Sequence, residues 1–198
     1  MLASDGASVQ GLLDACAAGT FPADVAAVIA ERPEAEALTA ARRARVHALA
    51  KFKPRSQAWR AFDAELAELI STFHPDWIVA ADWSRTLSAE FYDRFPGKVL
   101  TVFPALPGSF AGSHAVERAY YAYCRGELER TGVSVYRGAT EGDGPREVLG
   151  KAELLIGPED TLDSLESRAR AAGADLLARV LEQVIRFPPE RDNESRTV

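Results

Sequence analysis

Cysteine is scarce in this chain of 198 residues, and long apolar runs are absent from it. Cys16 and Cys124 are the only cysteines, too few for a disulfide framework or for the ligand spacing of a zinc finger. No apolar run approaches the roughly 18 residues that a transmembrane helix needs. The first residues combine no basic region with an apolar core, so we expect no signal peptide. Together these absences favour a cytoplasmic protein.

Basic residues are also too few for a general nucleic-acid binder. Lys and Arg number 23 against 29 Asp and Glu, which gives a net charge of −6. Because neutralisation of phosphate drives nucleic-acid affinity, we expect no such partner. The sequence has no GxGxxG motif, no metal-ligand spacing and no legible Ser-His-Asp arrangement. It therefore indicates neither a metal site nor a dinucleotide site, and leaves a homodimer open.

Apolar residues make up 47% of the chain, and their spacing alternates between the periods of strands and helices. This alternation predicts a single α/β domain with a mainly parallel sheet. Strands are predicted at residues 24–30, 45–51, 77–81, 98–103, 133–136 and 148–156 after a stub at 1–4. Helices are predicted at residues 9–18, 34–44, 88–95, 114–130 and 161–186, with another following Ser56.

In a parallel sheet, ligands bind beyond the carboxyl ends of the strands, where the strand order reverses. The sequence therefore points to the loops at residues 4–9, 82–88 and 101–112, with the loop at 138–145 as a further candidate.

Several segments, taken in this order, resemble the folate-dependent glycinamide ribonucleotide formyltransferases of purine biosynthesis. The resemblance covers residues 1–185 and implies a Rossmann-like formyltransferase domain over residues 1–186, with a polar tail at 187–198. The segments that carry it are LLDACAAG (12–19), AFDAEL (61–66), RTLSAEF (85–91), FPGKVL (95–100), GSHA (112–115), TGVSV (131–135) and EDTLDSLESR (159–168).

The chain departs from that family at its catalytic strand. The family reads Asn-x-His-Pro-Ser-Leu there, whereas this chain has Thr101, Phe103 and Ala105 in place of the Asn, His and Ser. In the family, the Asn and His stabilise the oxyanion that forms when an amine attacks the formyl carbon. Phe103 cannot donate a hydrogen bond. Losing one such donor costs about 10²–10³ in rate.

The resemblance nevertheless implies a set of site residues in this chain. Residues of a rebuilt catalytic centre are Asp143, His114, Tyr136 and Thr101. Contacts to 10-formyltetrahydrofolate are implied for Trp83, Ser84, Arg85, Thr86, Leu87, Thr140 and Glu141. A phosphate or other substrate contact is implied for Asp5, Gly6, Ala7, Ser8 and Val9, although the carboxylate of Asp5 would repel a phosphate.

Each of these residues also has a structural interpretation. Trp83 either stacks on a flat ligand or closes the edge of the core. His114 either carries a proton or makes a structural hydrogen bond at the start of a helix. Asp143 either manages protons or serves as a turn residue in the segment EGDGP.

Three functions follow from these observations. The first is a divergent folate-dependent formyltransferase that acts on a small amine through an altered centre. The second is an inactive relative that binds a folate, a phosphorylated ligand or a protein partner, as the Phe103 substitution suggests. The third is a hydrolase or cyclase that uses Asp143 and His114 in the same cleft.

Overall fold

The chain forms alternating strands and helices in the computed structural model, which describes residues 1–4, 6–81, 83, 85–110, 114–138 and 147–187, with only the backbone at 7 and 8. Within these residues the elements are β1 (Leu2–Ala3), α1 (Gly6–Ala17), β2 (Ala27–Ala30), α2 (Glu36–Arg43), β3 (His47–Ala50), α3 (Trp59–Ser71), β4 (Ile78–Ala81), α4 (Ala89–Arg94), β5 (Val99–Phe103), α5 (Ala115–Cys124), β6 (Arg130–Arg137), β7 (Glu147–Leu155) and α6 (Leu162–Arg186). None of the described helices is both long and apolar enough to span a bilayer.

The strands form one sheet in the order β3-β2-β1-β4-β5-β6-β7. The five strands from β3 to β5 pair in parallel, whereas β6 and β7 pair antiparallel at the far edge. This topology confirms the predicted α/β class with a mainly parallel sheet.

The sheet is covered by helices on both faces, and alternation along each strand decides which face a side chain joins. On one face, Leu2 and Val99 pack with Phe62 of α3 and Phe91 of α4. On the other face, Leu100 packs with the apolar side of α6. We call these the α3/α4 face and the α6 face.

The first helix begins earlier than the sequence predicted. The prediction placed it at residues 9–18, but α1 runs over Gly6–Ala17, so residues 6–9 form its first turn instead of a loop. Val9 is fully buried with Leu13 and Val28, and this burial holds the first turn against the sheet.

The prediction of a helix over residues 114–130 is too long, because α5 stops at Cys124. Gly126 has a φ of +75°, a left-handed conformation that terminates helices, and Arg130 already opens β6. The strands predicted at 24–30 and 77–81 begin later in the structure, where β2 runs over Ala27–Ala30 and β4 over Ile78–Ala81.

Candidate functional site

The strand order reverses between β1 and β4, which lie side by side at the centre of the sheet. From β1 the chain moves outward to β2 and β3, and from β4 it moves to β5 in the opposite direction. The carboxyl ends of β1 and β4 therefore form a topological switch point, where α/β proteins bind their ligands. The described parts of the predicted loops at 4–9 and 82–88 lie directly after these two strand ends.

A buried carboxylate of α3 holds the loop that follows β4. Asp63 is fully buried, and its Oδ2 accepts hydrogen bonds from Arg85 Nη1 at 3.1 Å and from the Ser88 backbone N–H at 2.8 Å. The other terminal nitrogen of Arg85 pairs with Asp63 Oδ1. Arg85 Nη1 also donates to the carbonyl of Thr86 at 3.0 Å. One side chain thus fixes both ends of the segment from Arg85 to Ser88.

The guanidinium of Arg85 is also stacked on aromatic rings. It lies 4.1 Å from the ring centre of Trp59 and 5.5 Å from that of Phe62. The ammonium of Lys53 lies 4.6 Å from the Trp59 ring centre. Stacking and ion pairing together occupy the terminal nitrogens of Arg85, so these nitrogens are not available to a ligand.

Three buried polar atoms of this same loop have no hydrogen-bond partner among the described residues. They are Trp83 Nε1, Arg85 Nε and Ser88 Oγ. Because a buried donor without a partner costs about 1–3 kcal/mol, such a group within a switch-point loop is a candidate ligand contact. Leu87 is buried in the core, Trp83 packs against that core, and Thr86 is exposed.

Two of the predicted catalytic residues lie together on the α3/α4 face. Thr101 and Tyr136 are direct partners of the antiparallel pair β5–β6, so their side chains share one face. The Thr101 hydroxyl donates to the carbonyl of Gly138 at 3.4 Å and lies near the phenol of Tyr92 in α4. Burial is the main cause that raises the pKa of Tyr92. Tyr92 therefore remains a neutral hydrogen-bonding group at pH 7.

His114 lies on the opposite side of the sheet. Its side chain is 75% exposed, and its Nδ1 lies 3.1 Å from Glu117 Oε2 one turn along α5. It borders a cavity of about 270 Å³ whose lining includes Val102, a neighbour of Thr101 that points to the α6 face. The structure therefore does not bring His114 together with Thr101 and Tyr136.

The first turn of α1 lies against the start of α2. A Cβ added at Gly6 would come within 2.9 Å of Glu36 Cβ and 3.4 Å of Glu36 Oε2. The close approach therefore requires glycine, and it places a carboxylate beside the amino end of α1. This carboxylate stabilises the helix dipole and opposes a phosphate at the same position.

Several predicted site residues lie outside the described residues: Asp5, Ser84, Thr140, Glu141 and Asp143. The side chains of Ala7 and Ser8 are likewise not described. Val9 is described, and the whole residue is buried, so it offers no surface to a ligand. Among the described residues, no group of three His, Cys, Asp or Glu side chains is placed to hold a metal ion.

Asp63 was not predicted to belong to this site, although its position in α3 indicates burial. Asp63 falls within the apolar stripe formed by Trp59, Phe62, Leu66 and Ile70. A lone carboxylate in such a stripe indicates a buried partner of opposite charge.

Comparison with known proteins places the chain among enzymes of one family. A family model described as formyl transferase matches residues 1–181. The phosphoribosylglycinamide formyltransferase of Haemophilus influenzae is 30% identical over 170 residues, which cover 86% of this chain and 78% of that protein. The enzyme of the same name from Schizosaccharomyces pombe is 29% identical over 197 residues, with 93% and 95% covered.

Solved structures agree with this match. Glycinamide ribonucleotide transformylase 1 from Symbiobacterium toebii superposes with a TM-score of 0.80 at 29% identity, over 91% of this chain and 84% of that one. Its counterpart from Geobacillus kaustophilus also gives a TM-score of 0.80, at 28% identity over 92% and 95% of the two chains.

Proposed function

The chain belongs to the formyl transferase family, and from this premise we propose that it moves a formyl group from 10-formyltetrahydrofolate to a small amine. We place the donor at the loop that follows β4. The reaction centre would lie at the neighbouring end of β5, where the hydroxyl of Thr101 replaces the amide found in the family.

The unpaired polar atoms of the loop carry this proposal. When bound, 10-formyltetrahydrofolate supplies a formyl carbon that is open to attack by an amine. Its pterin ring is flat and has hydrogen-bonding edges, which suit the N–H groups of Trp83 and Arg85 and the hydroxyl of Ser88. Asp63 supports the fit because it holds Arg85 and the Ser88 backbone in place.

The hydroxyls of Thr101 and Tyr136 are the groups we assign to the oxygen that becomes negative during attack. They come from adjacent strands and share a face, and Tyr92 of α4 lies near Thr101. Hydroxyl donors of this kind stabilise an oxyanion as amide donors do. In the overall exchange, the acceptor nitrogen loses one proton and the departing folate nitrogen gains one. We assign that proton transfer to Asp143.

Glu36 supports an amine acceptor in preference to a phosphorylated one. Its carboxylate lies beside the amino end of α1, close to Gly6. A negative charge there attracts a protonated amine and repels a phosphate. We therefore expect the acceptor to be a small amine without a phosphate close to its reacting nitrogen.

Calorimetric titration with a stable analogue of 10-formyltetrahydrofolate tests the donor site. The proposal predicts a Kd on the order of 1–10 μM, or about −7 to −8 kcal/mol. Asp143→Asn should bind the analogue with a Kd within about threefold of the unmodified protein and lose formyl transfer in an amine screen. Absence of binding at millimolar analogue would contradict the proposal.

A second candidate function is binding of a folate without transfer. Phe103 favours it because this side chain can neither donate a hydrogen bond nor carry a proton. The location of His114 favours it too, since this histidine lies across the sheet from Thr101. Micromolar binding of the analogue with no formylated product from any amine would select this second function.

A further inference from the structure

One edge of the sheet is formed by β7, a strand of nine residues. Its inner side pairs with β6, and no strand within the described part of the chain pairs with its outer side. The strand at the opposite edge, β3, has only four residues. A long edge strand presents a row of backbone donors and acceptors that can pair with a further strand.

The backbone groups that point outward from β7 follow from its hydrogen bonds to β6. Just after the strand, the N–H of Ile156 donates to the carbonyl of Glu129 at 2.9 Å. The carbonyl of Ala152 also faces β6, since a Cβ added at Gly132 would lie 2.3 Å from this oxygen. In an antiparallel pair, successive residues turn their N–H and C=O groups to opposite sides. The residues whose backbone groups face outward are therefore Lys151, Glu153 and Leu155.

The side chains of these three residues lie on the α3/α4 face, and a bulge adds a fourth. Directly paired residues share a face, so Val148 lies on the same side as its partner Tyr136. Lys151 pairs with Ser134, two residues before Tyr136, although three residues separate Lys151 from Val148. The extra residue of β7 is the β-bulge that brings Val148 into line. The exposed row consists of Val148, Lys151, Glu153 and Leu155.

This row is self-complementary when two β7 strands run antiparallel. With a twofold axis at Ala152, Lys151 of each copy lies opposite Glu153 of the other. At both ends of the row, Val148 of one copy meets Leu155 of the other, and these side chains are 45% and 64% exposed in the single chain. An axis at Lys151 or at Glu153 would instead place two like charges opposite each other. Charge therefore favours the register centred on Ala152.

The charged groups at the centre of the row are ionised and accessible. Arg130 Nη1 lies 3.1 Å from Glu153 Oε2, and Lys151 Nζ lies 3.4 Å from Glu153 Oε1. Hydrogen bonds from these two side chains lower the pKa of Glu153. The side chain of Lys151 is 58% exposed, so its ammonium can contact the carboxylate of a second copy as well as its own.

We propose that the outer edge of β7 is an interface between two copies of this chain, which pair antiparallel about a twofold axis at Ala152. The two sheets join into one continuous sheet across this interface. The outward N–H and C=O groups of Lys151 bond those of Glu153 in the other copy, and the reverse. The second copy is recognised by backbone pairing, by two Lys–Glu pairs and by the apolar contacts at both ends.

Sedimentation equilibrium of the full chain over a concentration series tests this proposal. We expect a dimer with twice the chain mass of 21.4 kDa. Lys151→Glu places carboxylates opposite carboxylates, and Glu153→Lys places ammonium groups opposite ammonium groups. Each change acts twice in a twofold interface, so we expect each to raise the dimer Kd about tenfold or more.

Arg60→Glu is the matched control, because it reverses a charge in an exposed ion pair with Glu90 that joins α3 and α4. We expect it to leave the dimer Kd within about twofold. An increase in Kd as large as that of Lys151→Glu would mean that net charge or another surface controls the association, and would overturn the proposal.

Mixing the two reversed variants tests the register itself. A Lys151→Glu chain and a Glu153→Lys chain place opposite charges at every central position, so we expect a heterodimer with a Kd within about threefold of that of the unmodified dimer. The double variant K151E/E153K restores the same pairing within one chain and should dimerise equally well. It also keeps the test valid if either single variant fails to fold.

Three results would overturn the proposal. The first is an unmodified chain that stays at 21.4 kDa up to about 1 mM. The second is a dimer whose Kd is unchanged by both charge reversals. The third is a double variant that remains monomeric.

Discussion

The chain buries an ionisable group at each end of its central strands, and the surroundings of the two groups differ. At the carboxyl ends, the carboxylate of Asp63 is paired with the guanidinium of Arg85 and accepts a further hydrogen bond from the backbone N–H of Ser88. At the amino ends, the ammonium of Met1 has one carbonyl partner, that of Ala27, and a pKa lowered to about 5.

The difference shows that the carboxyl end of the sheet is the end whose loop is held in one conformation. A buried ion pair with additional hydrogen bonds fixes the loop from Arg85 to Ser88, where we place the folate. A buried amine beside a cavity instead releases its proton readily. Order at the carboxyl edge thus supports ligand binding, whereas the amino edge is bordered by a cavity of about 540 Å³.

Asp63→Asn breaks the paired charge and should have the largest effect. The variant leaves the half-buried Arg85 without its counter-charge, so we expect the free energy of unfolding to fall by about 3–5 kcal/mol. Urea denaturation measures this loss. Affinity for the folate analogue should fall with it, because Ser88 loses its backbone anchor.

Glu127→Gln is the matched control, since it makes the same chemical change in an exposed ion pair with Arg125. We expect a far smaller loss there, because water screens an exposed ion pair. Equal losses in the two variants would mean that Asp63 does not have the role assigned to it.

The buried ammonium predicts a pH dependence at the other end of the sheet. Its pKa is lower in the folded chain than in the unfolded chain, so the unfolded chain binds more protons between pH 5 and pH 8. Stability should therefore rise across this window and level off above it. A fall from 8 to about 5 corresponds to a gain of about 4 kcal/mol.

Urea denaturation between pH 5 and pH 8 measures this gain, and acetylation of the Met1 nitrogen isolates it. The acetylated protein has no ammonium to titrate, so the part of the rise in unfolding free energy that comes from Met1 should vanish. If the free energy of unfolding depends on pH in the same way before and after acetylation, the titrating group lies elsewhere.

Thr101→Val tests the hydroxyl at the end of β5. If this hydroxyl donates to the oxyanion, the rate of formyl transfer should fall about 10²-fold, with Kd for the analogue within about threefold. Thr72→Val is the control, because the Thr72 hydroxyl bonds only a backbone carbonyl of its own helix, that of Leu69, in an exposed position. A rate that falls equally in both variants would remove Thr101 from the mechanism.

His114→Ala should have the smallest effect. The side chain is exposed and contacts Glu117 on the α6 face, so we expect stability to change by less than about 0.5 kcal/mol. Folate affinity and transfer rate should stay within about twofold. A tenfold loss of transfer would return His114 to the site.

Sequence patterns predicted the fold well because apolar alternation marks buried strands such as β4 and β5 directly. They were least accurate where packing or turn geometry decided the boundary. The burial of Val9 drew residues 6–9 into α1, and the conformation of Gly126 ended α5 early.

The site was harder to predict because its parts come from different elements. The segments RTLSAEF and AFDAEL both carry the family resemblance, yet nothing in their spacing indicates that Asp63 and Arg85 meet. His114 and Thr101 come close along the chain, but the sheet separates them. Only the placement of β5 shows that Thr101 faces α4 and that Val102 faces α6.

Hydrogen exchange with and without the stable folate analogue tests the central claim, that the loop after β4 holds the ligand, most directly. We predict that the analogue slows exchange at Trp83, Arg85 and Ser88 and leaves residues 114–117 unchanged. Slower exchange at residues 114–117, with no change from Trp83 to Ser88, would contradict the account and move the site to the α6 face.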